Sequence, residues 1–334
     1  MRPTLADVMA ARQVIAGVAD RTPLVPSPYM SARSGHEFLL KLEICQPMGA
    51  FKLRGALNAM AALPAGTRGV TCCSTGNHGR AVAYAAARRG LRAVVCMSQL
   101  VPEAKVAGIR ALGAEVRISG RSQDDAGRES ARLARDEGLA EIPPFDDPHV
   151  IAGQGTIGLE LLEVRPDLTA LLVPLSGGGL MAGVALAARA IRPGIRIIGV
   201  TMERGAAMAA ALEAGHPVET GEYPSLADSL GGGLGDDNRL TFAMCRDLVD
   251  EVVLVSEEEI RDAMQALFHE DRLVAEGGSV TGLAAVLAGK VRLHGPAATI
   301  VTGRNLDMRM FAAMMAGQDV TIGDLTVRGR TYGA

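Results

Sequence analysis

No run of 18 or more uninterrupted apolar residues occurs in the chain, so no membrane-spanning helix is expected. No basic stripe is present and the formal net charge is −3, which argues against nucleic acid as a partner. The five cysteines include no CxxC pair, and their number is odd. In a chain of this size that suits reduced thiols in the cytoplasm better than a disulfide framework. Adjacent Cys72 and Cys73 lie in an apolar run and read as core residues. The six histidines are scattered without HExxH or similar spacing, so no zinc site is expected. Repeats of 20–50 residues and low-complexity tracts are also missing. The opening stretch "MRPTLADVMAARQVIAGV" carries Asp7 and reads as an amphipathic helix, without the continuous apolar core of a signal peptide.

What is there is material for a large buried core. The 334 residues correspond to about two domains. Hydrophobic residues make up 48% and charged residues 21%, which excludes disorder as a whole-chain state. From Gly69 the chain alternates strand "GVTCCS", helix "GRAVAYAAARRG", strand "RAVVCM", helix "PEAKVAGIRALG", strand "AEVRIS" and helix "QDDAGRESARLARDEG". A second series starts at helix "VIAGQGTIGLELLEV" and runs through strand "TALLVPL", helix "LMAGVALAARAI" and strand "RIIGVTM". Strand "EVVLVS", helix "EEEIRDAMQALFHE", helix "TGLAAVLAG" and strand "ATIVTG" complete it. Apolar strands alternating with amphipathic helices predict an α/β protein with parallel sheets covered on both faces. Ser256 and Glu259 form a capping box, and Pro102 suits the first turn of its helix. "EIPPFDDPHV", rich in Pro and Asp, is the expected domain crossing. An N-terminal portion including "FLLKLEI" precedes the first series, and its pattern fits packing on either domain.

Three glycine loops follow strand-like runs. "PLSGGGLMAG", Pro174 to Gly183, offers backbone amides and a helix start suited to a phosphate, and no GK[ST] follows it. Gly177, Gly179 and Ala182 also satisfy the dinucleotide pattern GxGxx[GA], and a tight turn without ligand is a third reading. "CSTGNHGRAVA" joins a strand to a helix, where Ser74, Thr75, Asn77 and the amides suit a carboxylate or simply cap the helix. "IVTGRN" ends the last clear strand, with Thr302 aimed at a ligand or capping the next turn. Lys52, in "GAFKLRGALNAM", unites the loops if it forms an imine with an aldehyde cofactor. Pyridoxal phosphate carries an aldehyde, a phosphate and an electron-withdrawing ring. Lys52 then needs a depressed pKa, which burial supplies; a lone lysine at a helix start otherwise reads as a snorkelling side chain.

"AFKLRGA", "STGNHGRAVA", "FDDPHVIAGQGT", "SGGGLMAG", "LADSLGGG" and "TGRN", in this order, resemble the threonine/serine dehydratase group of fold-type II pyridoxal-phosphate enzymes, which includes serine racemase-like members. The resemblance runs from about Thr22 to about Asn305, and the ordered set is far more specific than any one motif. "CMSQLVPEAKV", "TMERGAAM" and "LVSEEEI" resemble the hydroxyectoine-utilisation dehydratases within that group. The resemblance implies a tryptophan synthase β-like fold: two open parallel-sheet α/β domains with pyridoxal 5′-phosphate in the cleft. Residues 1–66 and 148–334 would form the large, cofactor-binding domain and 67–147 a small mobile one. By position, Lys52 would carry the Schiff base and move the Cα proton, with Phe51 against the ring. Asn77 would bond the ring hydroxyl. Ser176, Gly177, Gly178, Gly179 and Leu180 would hold the phosphate, and Thr302 would face the ring nitrogen as a neutral partner. Ser74, Thr75, Gly76, Asn77 and His78 would hold the substrate carboxylate, and Glu276 occupies the place of a pocket glutamate often found in the family.

The chain departs from the pattern at Ala50, Ser176, Ser229 and Arg304. These positions line or border the site, so they bear on which β-hydroxy amino acid is the substrate. Some relatives bind a divalent metal through two acids, at places where this chain has Thr201 and Ala207; no activating metal is expected there. The reaction implied is α,β-elimination from a β-hydroxy amino acid to a 2-oxo acid and ammonia. Racemisation is the related alternative, because Thr75 supplies a hydroxyl where racemases of the family have a serine acid–base group. A nicotinamide-dependent dehydrogenase built on the Gly177 loop is the alternative of a different class, and it leaves Lys52 and Asn77 unexplained. The expected partners are a small amino-acid substrate and, by resemblance, a second copy of the chain in a cytoplasmic homodimer.

Overall fold

The computed structural model describes residues 1–74, 76–99, 101, 103–121, 123–235 and 237–333, with 104, 123 and 124 described by backbone alone. Pro102 and Thr75, singled out above, lie outside the described residues. The chain opens with α1 (Leu5–Ile15), β1 (Leu24–Pro26), α2 (Pro28–Ser34), β2 (Phe38–Leu42) and α3 (Lys52–Ala61). It continues through β3 (Gly69–Cys73), α4 (Asn77–Arg88), β4 (Arg92–Met97), α5 (Glu103–Arg110), β5 (Glu115–Ile118), α6 (Gln123–Glu137) and β6 (Ala140–Glu141). Next come α7 (Pro148–Val164), β7 (Ala170–Pro174), α8 (Gly179–Ile191), β8 (Arg196–Met202), α9 (Ala207–Ala214), α10 (Thr241–Leu248) and β9 (Glu251–Val255). The last part holds α11 (Glu257–Asp271), α12 (Thr281–Leu287), β10 (Ala297–Val301), α13 (Met308–Met315) and the hairpin β11 (Val320–Ile322) and β12 (Leu325–Val327).

Apart from the two-stranded hairpin β11–β12, these strands make two sheets flanked by helices. The first series of alternation forms a parallel four-stranded sheet, β5-β4-β3-β6. The second forms a six-stranded sheet, β1-β2-β10-β7-β8-β9, parallel except for the antiparallel edge pair β1–β2. The N-terminal strand "FLLKL", whose partner the pattern left open, joins this larger sheet beside β10. Every residue of β2, β7 and β10 is buried, as expected for strands covered on both faces. The Ser256–Glu259 capping box is formed, and a second one joins Thr4 and Asp7 at the start of α1. Helix α4 begins at Asn77, two residues earlier than its apolar pattern suggests; the pattern marks only where the packed face starts.

The segment "FDDP" fixes the path between the sheets. Asp147 caps α7 by accepting from the amides of His149 and Val150 at 2.8 and 2.9 Å, with Pro148 in the first turn. Asp146 accepts from the amides of Arg239, Leu240 and Thr241 at the start of α10. Both acids are thus spent on helix starts.

Under α3 lies a buried cluster of two cations and two anions. Arg54, 1% exposed, bonds both oxygens of Glu43 at 2.8 Å and those of Glu160 at 2.6 and 3.0 Å. Lys41 reaches Glu160 at 2.5 Å and the Thr22 carbonyl at 2.7 Å. Thr22 and Gln46 donate to Glu43, and Thr156 accepts from Arg54. Burial, the largest single influence, would raise the Glu43 carboxyl, but the Arg54 charge and hydrogen bonds, with Lys41 and Thr22, together outweigh it and hold the group below its ordinary value. The cluster joins β2, the turn at Glu43, α3 and α7. Removing Arg54 leaves the buried Glu43 carboxylate without its ion pair. Arg54→Met is therefore expected to cost about 3–5 kcal/mol, read as a lowered urea midpoint. Unchanged stability would show that the cluster does not hold α3.

Candidate active site

The site grows from the ends of the central strands. Phe51 donates its amide to the Thr302 carbonyl at 2.9 Å, and Arg304 donates to Gly49 at 3.0 Å. Ala50 and Gly303 form an isolated antiparallel bridge. The lysine loop and the last-strand loop are thereby sewn together, and Lys52 follows as the first residue of α3. Its amine lies 5.4 Å from the Phe51 ring centre and donates to the Pro144 carbonyl at 2.5 Å. Burial lowers Lys52 to about 8, and no carboxylate pairs with it among the described residues. A substantial neutral fraction near neutral pH follows, the state a nucleophilic or basic amine needs.

Beyond Pro144, the Phe145 ring covers the glycine loop. A Cβ on Gly177 would lie 2.3 Å from that ring, and one on Gly179 would lie 2.9 Å from Phe145. Gly178 has φ +88° and caps α8 without any side chain. The first amides of a 13-residue helix therefore face outward uncapped, which suits an anion. Ser176 is half-buried and Leu180 buried at this turn. The fit to a group carrying both an aldehyde and a phosphate rests on these features: an enclosed amine without an acid, a loop with no room for Cβ atoms, and an uncapped helix start.

Asn77, at the start of α4, reaches the other sheet. Its Nδ2 donates to Glu276 Oε1 at 2.6 Å, and its Oδ1 accepts from Asn305 Nδ2 at 2.6 Å. Asn305 also donates to the Met48 carbonyl. A Cβ on Gly303 would lie 1.8 Å from Glu276 Oε1, so only glycine leaves room for that carboxylate. Burial, and then the charge of Asp228, raise Glu276 to about 7. Thr302 is buried and shares a hydrogen bond with Ser279 Oγ at 2.9 Å. Ser279 also bonds the amide and carbonyl of Gly303. The Thr302 hydroxyl is thus held by Ser279, which also braces the loop that follows.

The carboxylate loop is open at its helix. Gly76 caps α4 with no side-chain bond, and Ser74 Oγ accepts from the Gly76 amide at 3.3 Å. The His78 ring turns away to the Ile142 carbonyl at 2.8 Å, and burial, then the Lys52 charge, lower it to about 3. His78 is therefore neutral, and only its amide points to the helix start. Across the mouth, Lys105 pairs with Asp228 at 2.7 Å. Ala50 is fully buried, Ser229 lies against Gly278, and Arg304 extends along Gly49 to solvent. Sequence reasoning missed Phe145, Ser279 and Asn305 as site builders. Phe145 and Asn305 stand inside quoted motifs and Ser279 three residues after Glu276, but each has an ordinary side chain whose partners come from distant segments.

A family model described as pyridoxal-phosphate dependent enzyme matches residues 15–303. A protein of Sinorhizobium fredii, named provisionally as a threonine dehydratase, is 53% identical over 94% of this chain and 96% of its own. The L-threo-3-hydroxyaspartate ammonia-lyase of Saccharomyces cerevisiae is 37% identical over 95% of this chain and 98% of its own. The solved structure of maize serine racemase superposes with a TM-score of 0.89 at 34% identity, covering 95% of this chain and 98% of that one.

Gly177→Ala is expected to weaken binding of added pyridoxal phosphate by about 1–3 kcal/mol, roughly 5- to 150-fold in dissociation constant, in an absorbance titration. Unweakened binding would remove the loop from the site. Glu276 yields a pH prediction. Its folded value of about 7 stands above the ordinary 4.5, so its stabilising protonation is complete below pH 4.5 and lost as pH rises through 7. Glu276→Gln keeps an acceptor for Asn77 and lacks this titration. From pH 5 to pH 8 the urea midpoint of the unsubstituted protein should fall relative to the variant; parallel curves would refute the shift.

Proposed function

Because the chain belongs to the pyridoxal-phosphate-dependent enzyme family, we propose that its site performs α,β-elimination on a small β-hydroxy amino acid. It is a lyase that converts a hydroxy amino acid to a 2-oxo acid and ammonia. The observation that carries the site assignment is the Lys52 amine, enclosed without an acid and held at Pro144 beside the glycine loop.

When bound, pyridoxal phosphate supplies an aldehyde for the substrate amine and a ring that draws electrons from Cα. The chain supplies the rest. Lys52 Nζ would hold the aldehyde and, as a neutral amine, would accept the Cα proton. The uncapped start of α8, with Ser176 to Leu180, holds the phosphate. Asn77, fixed by Glu276 and Asn305, presents its amide to the ring hydroxyl. Phe51 lies against the ring, and Thr302 offers the ring nitrogen a neutral hydroxyl. Ser74, Thr75, Gly76 and the His78 amide receive the substrate carboxylate at the start of α4. Loss of the Cα proton and the β-hydroxyl releases one water. Hydrolysis of the resulting enamine takes up one water and gives the 2-oxo acid and ammonia.

Residues 67–147 form the small domain that closes over the substrate in this reading, and the Lys105–Asp228 pair supports it, because it spans the two sheets at the mouth. Threonine and serine are the first substrates to try, with amino acids derived from hydroxyectoine next. The odd number of cysteines, with no CxxC pair, supports a reducing, cytoplasmic setting, and the homodimer rests on family resemblance.

Lys52→Ala should lower 2-oxo acid formation from L-threonine and L-serine by more than about 10³-fold while circular dichroism stays unchanged. Normal turnover by that folded variant would sink the assignment.

A further inference from the structure

A cavity of about 450 Å³ lies away from the Lys52 site, between α2, α11, α12 and the C-terminal segment after β12. Its size is that of a small-ligand pocket. The floor is apolar, from Ala266, Ala284 and Leu287. Tyr29 and Tyr332 wall it. The tail that carries Tyr332 is tied down: Gln265 Nε2 donates to the Arg330 carbonyl at 2.7 Å, and the Tyr332 ring stacks on His269 at 4.6 Å.

The charges on the walls point to a ligand class. Asp262 pairs with Arg330, and Glu259 with Lys290. Two lining charges have no ion pair among the described residues. Glu270 only accepts from the Tyr332 hydroxyl at 2.7 Å, and Arg33 only lies 5.9 Å over the Tyr29 ring. One free anion, one free cation, aromatic walls and an apolar floor match a zwitterion. Its ammonium would meet Glu270 and a tyrosine face, its carboxylate would meet Arg33, and its side chain would rest on the floor.

The cavity is coupled to the catalytic region through the chain itself. Helices α11 and α12 bracket the segment 272–280, which carries Glu276 and Ser279. Those two residues hold Asn77 and Thr302. Any ligand that shifts α11 against α12 acts on both.

We propose that this cavity binds a zwitterionic small molecule of amino-acid size and that its occupancy tunes the Lys52 site. The effect on turnover rests on the elimination reading, whereas the binding does not. Both charges are solvent-exposed, so a dissociation constant on the order of millimolar is expected.

The test uses zwitterions that cannot condense with an aldehyde: glycine betaine and N,N-dimethyl-L-valine, with tetramethylammonium and isobutyrate as single-charge controls. Thermal unfolding of the holoenzyme reads binding. At ten times the dissociation constant, the apparent unfolding constant should fall about tenfold. The stabilisation should saturate, be absent with the controls and be lost in Arg33→Ala and in Ala288→Trp, which fills the cavity from its exposed rim. The visible cofactor band should stay unchanged, and kcat/KM should move at least about twofold with the same half-saturation. No stabilisation by either zwitterion up to about 50 mM, stabilisation that persists in both variants, or a parallel change in the cofactor band would overturn the site. Binding with kcat/KM unchanged would overturn the coupling. Failure of the elimination reading would instead show in the Lys52→Ala assay and leave the thermal shifts intact.

Discussion

A guanidinium almost wholly withdrawn from water, Arg54, governs the architecture around the lysine. An uncompensated charge there would be untenable, and Glu43 and Glu160 answer it on two sides. Those acids come from the turn after β2 and from α7, with Lys41 balancing the second acid from β2 itself. Four segments can meet only in the one arrangement that satisfies all four charges. Lys52 stands two residues before Arg54 on the same helix, so a network with no chemistry of its own fixes where the amine emerges. Replacement by apolar residues of equal volume could match its stability, but not the geometric uniqueness of forked hydrogen bonds.

The site is a seam between two sheets. Asn77 belongs to a helix of the four-stranded sheet, and its two side-chain partners, Glu276 and Asn305, belong to loops of the six-stranded one. Glu276, raised to about 7 by burial and then by the charge of Asp228, shares its oxygen with an amide donor. Lysine and glycine loop are joined differently, through consecutive residues: the Pro144 carbonyl takes the amine and the Phe145 ring closes the loop. Protonation of the acid therefore bears on the seam, while the amine answers mainly to burial.

Much of this was legible in the residues. Strands buried on both faces announce themselves as apolar runs, so β4 and β7 are read almost to the residue. The ordered motifs carried the family and the cofactor, because Lys52, Asn77 and the glycines have roles few other residues fill. The two-residue strand β6, the edge pairing of β1 and the hairpin β11–β12 were not legible. They are too short to have a period, and only tertiary neighbours define them. Asn305 and Ser279 escaped for a related reason. Their hydrogen bonds join positions 228 and 23 residues apart, and no local spacing records such a pairing.

The position of β10 carries a consequence for how the protein is made. It lies between β2 and β7 in the larger sheet although it is the last strand of that sheet in the chain. Until residue 297 has left the ribosome, β2 and β7 are each missing a neighbour, and every residue of both is buried in the finished sheet. Such bare edges invite mispairing between nascent chains. The strand that seals them ends at the loop of Thr302 and Asn305, so the sheet and the candidate site reach completion in the same step. A truncated chain is thus denied both a closed sheet and a finished site, which makes its incompleteness visible to chaperones and proteases before it could capture cofactor.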